Sequence, residues 1–200
     1  NNINIQKELS VPYPLDCYNK YIDLIHRNLE LEKGRKWDEF KLYFLNIDDE
    51  IQLVTNWKKD NKQRNLTHMD LRFENVLFSK KNKATLIDLD MMRFENPYIC
   101  LGFTFSRTFF NHKSFKSLSD IEIFLDNLIN LYSLKDKNKK LMKRNILFGA
   151  KYIEIEKIIR NTYRYYKTKL FRKFTDDILI IHFPIVKIID NLINRYNHKN

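Results

Sequence analysis

The stretch LTHMDLRFENVLFSKKNKATLIDLD, residues 66–90, decides the predicted fold and function of this chain. Two short apolar runs within it, at residues 76–78 and 84–87, flank the lysine-rich turn SKKNK. Apolar runs of this length around a polar turn are typical of a two-stranded antiparallel hairpin. We expect this hairpin to be the only strand pair of the chain.

Polar side chains stand just before and just after the predicted hairpin. Asp70 precedes the first strand in a tight turn, where a carboxylate could accept the proton of an attacking hydroxyl group. Asn75 and Asp88 lie at the outer ends of the two strands, so antiparallel pairing would bring a neutral and an anionic oxygen ligand together. Mg²⁺ requires hard oxygen ligands of this kind, with water and phosphate in its remaining positions. The stretch therefore predicts a metal-phosphate site.

The motif HMDLRFENVLF at residues 68–78 resembles the catalytic loop H-x-D-x-x-x-x-N of the protein-kinase-like superfamily, and IDLD at residues 87–90 resembles its metal-binding Asp. The resemblance implies that Asp70 is the catalytic base. It also implies that Asn75 and Asp88 bind Mg²⁺ and thereby the nucleotide. The alternative is that these three are turn and capping residues.

Three other residues of the stretch receive roles in the same way. The resemblance implies that His68 is a structural residue that steadies the loop, which is the commoner role of a loop histidine. Arg72 stands where eukaryotic protein kinases often place a Lys near the transferred phosphate. It is therefore a second candidate catalytic residue, although Arg is not equivalent to Lys. Asp90 could be an acid that contacts the metal ligands or one on the substrate side. The alternative is that it is a solvated loop residue.

The segment after Asp88 favours one branch of the superfamily. Protein kinases follow the metal-binding Asp with Phe-Gly and with a segment that ends in A-P-E, and this chain has neither. The sequence IDLDMMRFENPYICLG instead resembles the I-D-[FWY]-[DE] … P-x-x-D-L-[AG] region of the aminoglycoside phosphotransferase and choline kinase group. Cys100 stands where that group has the Asp of D-L-[AG], which puts the function of this position in question.

The resemblance implies a phosphotransferase that uses Mg²⁺ and ATP, or GTP, and acts on a hydroxyl group of a small molecule. Aminoglycosides, choline and sugar-like compounds are the substrate classes that the group suggests. Kinase-like folds hold the nucleotide phosphates with a glycine-rich strand pair in an N-terminal lobe. The glycines of this chain, Gly34, Gly102 and Gly149, are isolated.

Pro12 and Pro14 favour an extended entry segment, and the resemblance, without a glycine-rich strand pair, implies a C-terminal lobe. We expect a hinge or linker at residues 1–14 and the C-terminal lobe of a kinase-like fold at residues 15–200. Within the lobe, residues 66–90 would form the catalytic loop and metal site, and residues 97–200 the helical substrate side. The N-terminal lobe would belong to the parent protein, upstream of this chain.

Apolar residues recur every three to four positions through most of the chain, which predicts a mostly α-helical fold with one small hairpin. Asp48 is expected to cap the third helix, and Ser119 with Glu122 to form a capping box. Pro184 is expected to kink or split the last helix. Residues 99–110 would form a buried helix or an irregular core segment. The other predicted helices lie at residues 16–32, 37–44, 48–57, 119–129, 141–172 and 175–196.

Composition indicates the setting of the protein. A net charge of +11 suits a partner that carries phosphates, although the chain is rich in Lys, Asn and Ile throughout. Two cysteines, Cys17 and Cys100, without metal-binding spacing favour a reducing intracellular compartment. The sequence has neither a long uncharged apolar segment nor a signal-peptide pattern. We therefore expect a cytoplasmic protein that does not enter a membrane.

Two other functions compete with the phosphotransferase. The chain could be a pseudokinase-like binding or scaffold protein, because it lacks the glycine-rich motif and has Cys100 in place of an Asp. It could also be a basic nucleic-acid-binding helical domain, since Tyr163 and Tyr166 interleave with cations as aromatics do on nucleic-acid surfaces. Nucleic acid is the less favoured partner, because both tyrosines fit the buried face of a helix.

Overall fold

The computed structural model describes residues 15, 19–71, 73–80, 83–111, 117–131, 138–168 and 177–198. In this part of the chain, α-helices and two antiparallel strand pairs form a mostly α-helical fold. The predicted linker at residues 1–14 and the candidate residue Arg72 lie outside the described residues. The helices are α1 (Asn19–Leu29), α2 (Arg35–Leu45), α3 (Ile47–Asp60), α4 (Pro97–Asn111), α5 (Leu118–Leu131), α6 (Lys139–Thr168) and α7 (Phe183–His198). The strands are β1 (Asn65–His68), β2 (Val76–Phe78), β3 (Ala84–Leu86) and β4 (Met92–Glu95).

The predicted hairpin is present, and a second strand pair accompanies it. β2 pairs with β3 in antiparallel fashion, so that Val76 lies opposite Leu86. The expectation of a single strand pair is wrong, because β1 pairs with β4 and places Leu66 opposite Phe94. No short turn joins β1 to β4, since the whole hairpin lies between them in the chain. This long-range pairing brings the two ends of the candidate site segment together.

α6 is the central helix of the fold, and residues 145–159 along it are all buried. α4 and α7 pack against it, together with α1, α3 and α5. α4 crosses α6 at very short range, because Gly102 lies against the backbone of Ala150 and Gly149 against the carbonyl group of Tyr98. A Cβ atom at either glycine would overlap these backbone atoms. The position of α4 therefore depends on two residues without side chains.

Two predicted helix starts are wrong by one or two residues. α3 begins at Ile47, so Asp48 is not its cap. It lies in the first turn, where the negative charge of a carboxylate interacts favourably with the helix dipole. The capping box of α5 consists of Ser117 and Asp120 rather than Ser119 and Glu122. Ser117 Oγ accepts a hydrogen bond from Asp120 N at 3.2 Å, and Asp120 Oδ2 accepts one from Ser117 N at 2.9 Å.

The interruption predicted at Pro184 is a change of helix type. A π-helical turn covers Asp177–His182, and α7 begins at Phe183. Pro184 is the second residue of α7 and follows the π-helical turn without a gap, so the helical hydrogen-bond ladder lacks a donor at the point where the helix type changes. In the described ranges, none of the helices combines the length and the apolar character that crossing a bilayer requires.

Candidate functional site

His68 joins the loop that carries Asp70 to the loop that carries Asp88. Its ring is buried at the end of β1. Nδ1 accepts a hydrogen bond from the backbone N–H of Asp70 at 3.2 Å, and Nε2 lies 3.1 Å from the carbonyl oxygen of Ile87. Because a carbonyl oxygen only accepts, Nε2 is the donor in this contact and Nδ1 is the acceptor in the other. Both ring nitrogens therefore hold the backbone of the candidate site.

Asp70 and Asn75 contact each other directly. Asn75 Nδ2 donates to the backbone oxygen of Asp70 at 2.8 Å and to its carboxylate Oδ2 at 3.2 Å. The amide nitrogen faces Asp70 because an amide oxygen in its place would repel the carboxylate. Asn75 Oδ1 therefore points away from Asp70 and is the atom that Asn75 offers to a cation. Both side chains are buried, with residue exposures of 9% for Asp70 and 5% for Asn75.

Asp88 lies at the other end of the hairpin in a rare backbone conformation. The N–H group of Ile87 donates to the carbonyl oxygen of Asn75 at 2.9 Å, which aligns the two ends of the hairpin. Asp88 itself has φ 58° and ψ 59°. Among the described residues, it is the one non-glycine residue with a positive φ. Its side chain is exposed, and strained backbone of this kind is concentrated at functional sites.

The remaining residues of the predicted set are placed differently. Asp90 is exposed in the 3₁₀ turn Leu89–Met91. The same turn is joined to the loop of Asp70, because Met69 N donates to the Met91 carbonyl at 3.3 Å. The structure thus joins Asp70, Asn75 and the Asp88 loop by direct contacts and leaves Asp90 in water. Arg72 lies beyond what the structure describes, and its role stays a prediction.

Cys100 contacts the same loop from the side of α4. Its Sγ donates to the carbonyl oxygen of His68 at 3.3 Å. Burial raises the pKa of Cys100 to about 11, which the nearby Arg93 guanidinium offsets only in part. The thiol is therefore protonated at neutral pH and able to donate. Sequence reasoning identified Cys100 as a departure from the group pattern but could not identify this contact between residues 32 positions apart.

Two residues that hold the start of α4 escaped the sequence-based prediction. Asn96 caps the helix, since its Oδ1 accepts a hydrogen bond from Tyr98 N at 2.8 Å, and Pro97 occupies the first helical position. The dipeptide Asn-Pro is a local signal that could have identified this cap. Glu95 is buried and pairs with Lys58 of α3 at 3.0 Å, a contact that has no local signal.

A cleft of about 420 Å³ lies next to the loop. Its described lining is mainly apolar and includes His68 and Cys100, but it does not include Asp70, Asn75 or Asp88. The cleft is therefore separate from the predicted metal-phosphate site. Its other lining residues are Asn65, Leu66, Thr67, Leu71, Leu86, Met92, Pro97 and Leu101.

The donor atoms of the site suit a hard cation that also binds phosphate. Asn75 offers an amide oxygen, and Asp88 offers an exposed carboxylate, both of the type that Mg²⁺ prefers. Within the described part of the chain, no three His, Cys, Asp or Glu side chains are grouped so that they could hold a metal ion by themselves. The site therefore fits Mg²⁺ only when water and the phosphates of a nucleotide complete its coordination shell.

The aromatic residues of the alternative nucleic-acid surface pack inside the fold. The Tyr163 ring lies 4.3 Å from the Tyr21 ring between centroids, and Tyr166 is buried. Arg164, between them in the chain, is exposed. Because bases stack on aromatic faces that are open to solvent, these two tyrosines do not form a stacking platform.

Comparisons with known proteins do not assign the chain to a family. No protein-family model matches it, and no curated protein and no solved structure matches it significantly. The resemblance of residues 66–102 to the aminoglycoside phosphotransferase and choline kinase group therefore rests on the motif itself.

Proposed function

We propose that this chain is the C-terminal lobe of an ATP- and Mg²⁺-dependent phosphotransferase that acts on a hydroxyl group of a small molecule. The observation that supports this best is the contact of Asp70 with Asn75, joined through His68 to the loop of Asp88. A carboxylate base and two hard oxygen ligands in one hydrogen-bonded segment are what phosphoryl transfer asks of a protein. The kinase-like motif at residues 68–90 supports the same function.

Each side chain has a role that its contacts support. Asp70 would orient the acceptor hydroxyl group and take its proton as the new O–P bond forms. Its contact with Asn75 fixes the carboxylate beforehand, which reduces the freedom that is lost when the acceptor binds. Asn75 Oδ1 and the Asp88 carboxylate would hold Mg²⁺, which when bound neutralises charge on the nucleotide phosphates. His68 would fix the spacing between the Asp70 loop and the Asp88 loop.

Exposed apolar side chains around the site are evidence for a second lobe that covers it. Several large apolar side chains of the segment are exposed, with Leu77 at 55% and Phe78 at 66%. A two-stranded hairpin with apolar side chains in water is marginally stable by itself. We propose that a nucleotide-binding N-terminal lobe of the parent protein, which we place in the cytoplasm, covers this surface. The exposed side chains are Leu66, Leu77, Phe78, Leu89 and Met91.

Asp70→Asn tests the proposed function in the full-length protein. We expect kcat to fall roughly 10²- to 10⁴-fold, because a general base typically contributes that factor, while the KM for the nucleotide changes about two-fold or less. The assay would follow nucleoside diphosphate release from ATP or GTP with Mg²⁺ and a panel of aminoglycosides, choline and sugars. Full activity of the Asp70→Asn variant would show that the assigned base is wrong.

Asp60→Asn is the matched control, because it makes the same chemical change at an exposed position at the end of α3. We expect this variant to keep the wild-type kcat and KM. A fall in both variants would point to the loss of one negative charge in general rather than to the role of Asp70.

A binding or scaffold protein of pseudokinase type is the second candidate. Cys100 favours it, because a buried, protonated thiol stands where the group has the Asp of D-L-[AG]. Such a protein would bind a nucleotide without transferring its phosphate. Nucleotide binding in a calorimeter, together with no diphosphate release from any acceptor, would favour this candidate over the enzyme.

A further inference from the structure

Cys100 lies in the first turn of α4. Asn96 caps this turn, and the crossing of Gly102 with α6 holds its next turn against the core. The thiol is 5% exposed and donates to the carbonyl oxygen of His68 at 3.3 Å. A donor on a helix therefore meets the backbone at the end of β1, where the loop that carries Asp70 begins.

The His68 carbonyl is the first contact in a short series that reaches both sides of the site. The His68 ring accepts from the N–H group of Asp70 through Nδ1 and donates to the carbonyl group of Ile87 through Nε2. A shift of the His68 backbone would move its ring and lengthen both bonds. Cys100 thus acts on Asp70 and on the residue before Asp88 through a single histidine.

We propose that Cys100 is a positioning residue, whose S–H group holds the His68 carbonyl and thereby the orientation of Asp70. Its catalytic consequence rests on the proposed phosphotransferase function, whereas its effect on the loop does not. A carboxylate cannot replace the thiol in this contact, because a carboxylate only accepts and the His68 carbonyl also only accepts. The Cys at this position therefore marks a different contact, not merely a lost Asp.

The simpler alternative is that Cys100 only fills space in the core, as buried cysteines often do. The variants Cys100→Ser and Cys100→Ala separate the two readings, because serine and alanine have similar volumes and only serine keeps a donor. Cys100→Thr and Cys100→Val repeat the comparison at a larger volume, should the cavity of the alanine variant prevent folding. Urea unfolding of each variant provides the reference for global stability.

Amide hydrogen exchange of the full-length protein, followed by NMR, reads the loop directly. We expect the N–H group of Asp70 to exchange about five-fold faster in Cys100→Ala than in Cys100→Ser, the factor that corresponds to one hydrogen bond. The exchange of Phe105, on the buried side of α4, should be equal in the two variants after correction for global stability. The Thr and Val pair should differ in the same direction.

Kinetics add a readout that a purely structural role would not change. We expect kcat to fall about ten-fold in Cys100→Ala relative to Cys100→Ser, with the KM for the nucleotide unchanged, because a small misplacement of the base acts on the chemical step. Cys100→Asp should also lower kcat, since its carboxylate faces the His68 carbonyl.

Three results would overturn the positioning role. The first is equal exchange of the Asp70 N–H group within the Ser and Ala pair and within the Thr and Val pair. The second is equal kcat in active Cys100→Ser and Cys100→Ala variants, and the third is a higher kcat in Cys100→Asp than in the wild-type protein. If Asp70 exchange differs as expected but the wild-type protein transfers no phosphate, the contact with His68 stands and only the proposed enzymatic function fails.

Discussion

Asp88 is held in the left-handed region by the contacts of the residue before it. Ile87 donates through its N–H group to Asn75 and accepts through its carbonyl group from His68. These two bonds set the direction in which the chain leaves the hairpin. The left-handed conformation costs about 1 kcal/mol for a residue with a Cβ atom, although Asp and Asn tolerate it better than most. Glycine would remove this cost but would also remove the carboxylate that the proposed function assigns to Mg²⁺.

Substitutions of Asp88 should separate stability from function. We expect Asp88→Ala to lower the free energy of unfolding by about 1 kcal/mol, because alanine tolerates a positive φ poorly. Asp88→Asn and Asp88→Gly should both be more stable than the alanine variant. If Asp88 is a ligand, the Mg²⁺-dependent kcat should fall more than about ten-fold in all three variants. Urea unfolding and the phosphotransfer assay measure the two effects, and an alanine variant as stable as the glycine variant would contradict the first.

The contact between α4 and α6 determines where Cys100 and the start of α4 lie. Gly102 and Gly149 allow the two helix backbones to approach each other more closely than any residue with a Cβ atom would permit. In an open helical position, replacing glycine with alanine stabilises a protein by roughly 0.5–1 kcal/mol. The sign of the effect at these glycines therefore reports whether the crossing exists as described.

Gly149→Ala should destabilise the protein by about 1–3 kcal/mol, because its new methyl group overlaps the carbonyl group of Tyr98 and forces α4 outward. Thermal or urea unfolding measures this directly. Asn127→Ala on the exposed face of α5 is the control, and we expect it to change stability by less than about 0.5 kcal/mol. A more stable Gly149→Ala variant would mean that α4 and α6 do not cross at these glycines.

The elements differ in how far local sequence specified them. Helices α1 and α2 and the β2–β3 hairpin follow from apolar periodicity and from a polar turn, both of which act over a few residues. The β1–β4 pair has no such signal, because the whole hairpin separates its strands in the sequence. The start of α5 was ambiguous for a different reason, since two Ser-x-x-acid patterns lie two residues apart.

A group of polar and charged side chains in the core joins several helices of the molecule. Glu154 of α6 is fully buried and is bonded by Ser106 of α4, by Lys157 at 2.7 Å and by His182 at 2.6 Å. Burial alone would raise the pKa of Glu154, but the Lys157 and His182 contacts outweigh it and lower the pKa to about 2. These bonds join α4, α6 and the π-helical turn before α7. The carboxylate therefore stabilises the folded state only while it is ionised.

This pKa predicts how stability depends on pH. Because the pKa of Glu154 is lowered from 4.5 to about 2 on folding, its contribution is fully present above about pH 4.5 and is lost as the pH falls toward 2. Glu154→Gln should lower the free energy of unfolding at pH 7 by about 3–5 kcal/mol, since it leaves Lys157 buried without its partner. The difference between wild type and variant should shrink as the pH is lowered through that range, which urea unfolding at a series of pH values measures.

Glu39→Gln is the matched control for Glu154→Gln. Glu39 also pairs with a lysine, Lys187 at 3.0 Å, but the pair lies at the surface, where water screens it. We expect little change in stability at any pH. A difference between wild type and Glu154→Gln that stays constant down to pH 2 would show that the folded state does not depend on the ionised Glu154 carboxylate.

The sequence by itself determined the helical character of the chain, the hairpin and the choice of Asp70, Asn75 and Asp88 as candidate residues. These inferences depend on periodicity, turn residues and motif spacing, which are properties of a few neighbouring positions. The chemistry assigned to the three residues remains a proposal for the assays above.

Only the tertiary structure decided what holds those residues in place. The β1–β4 pair, the contact of Cys100 with His68 and the buried bonds of Glu154 join residues that are far apart in the chain. Such contacts depend on how whole helices pack, and the crossing of α4 with α6 at Gly102 and Gly149 sets that packing for the site. No local sequence pattern encodes this packing, because each of these contacts needs a residue from a distant part of the chain.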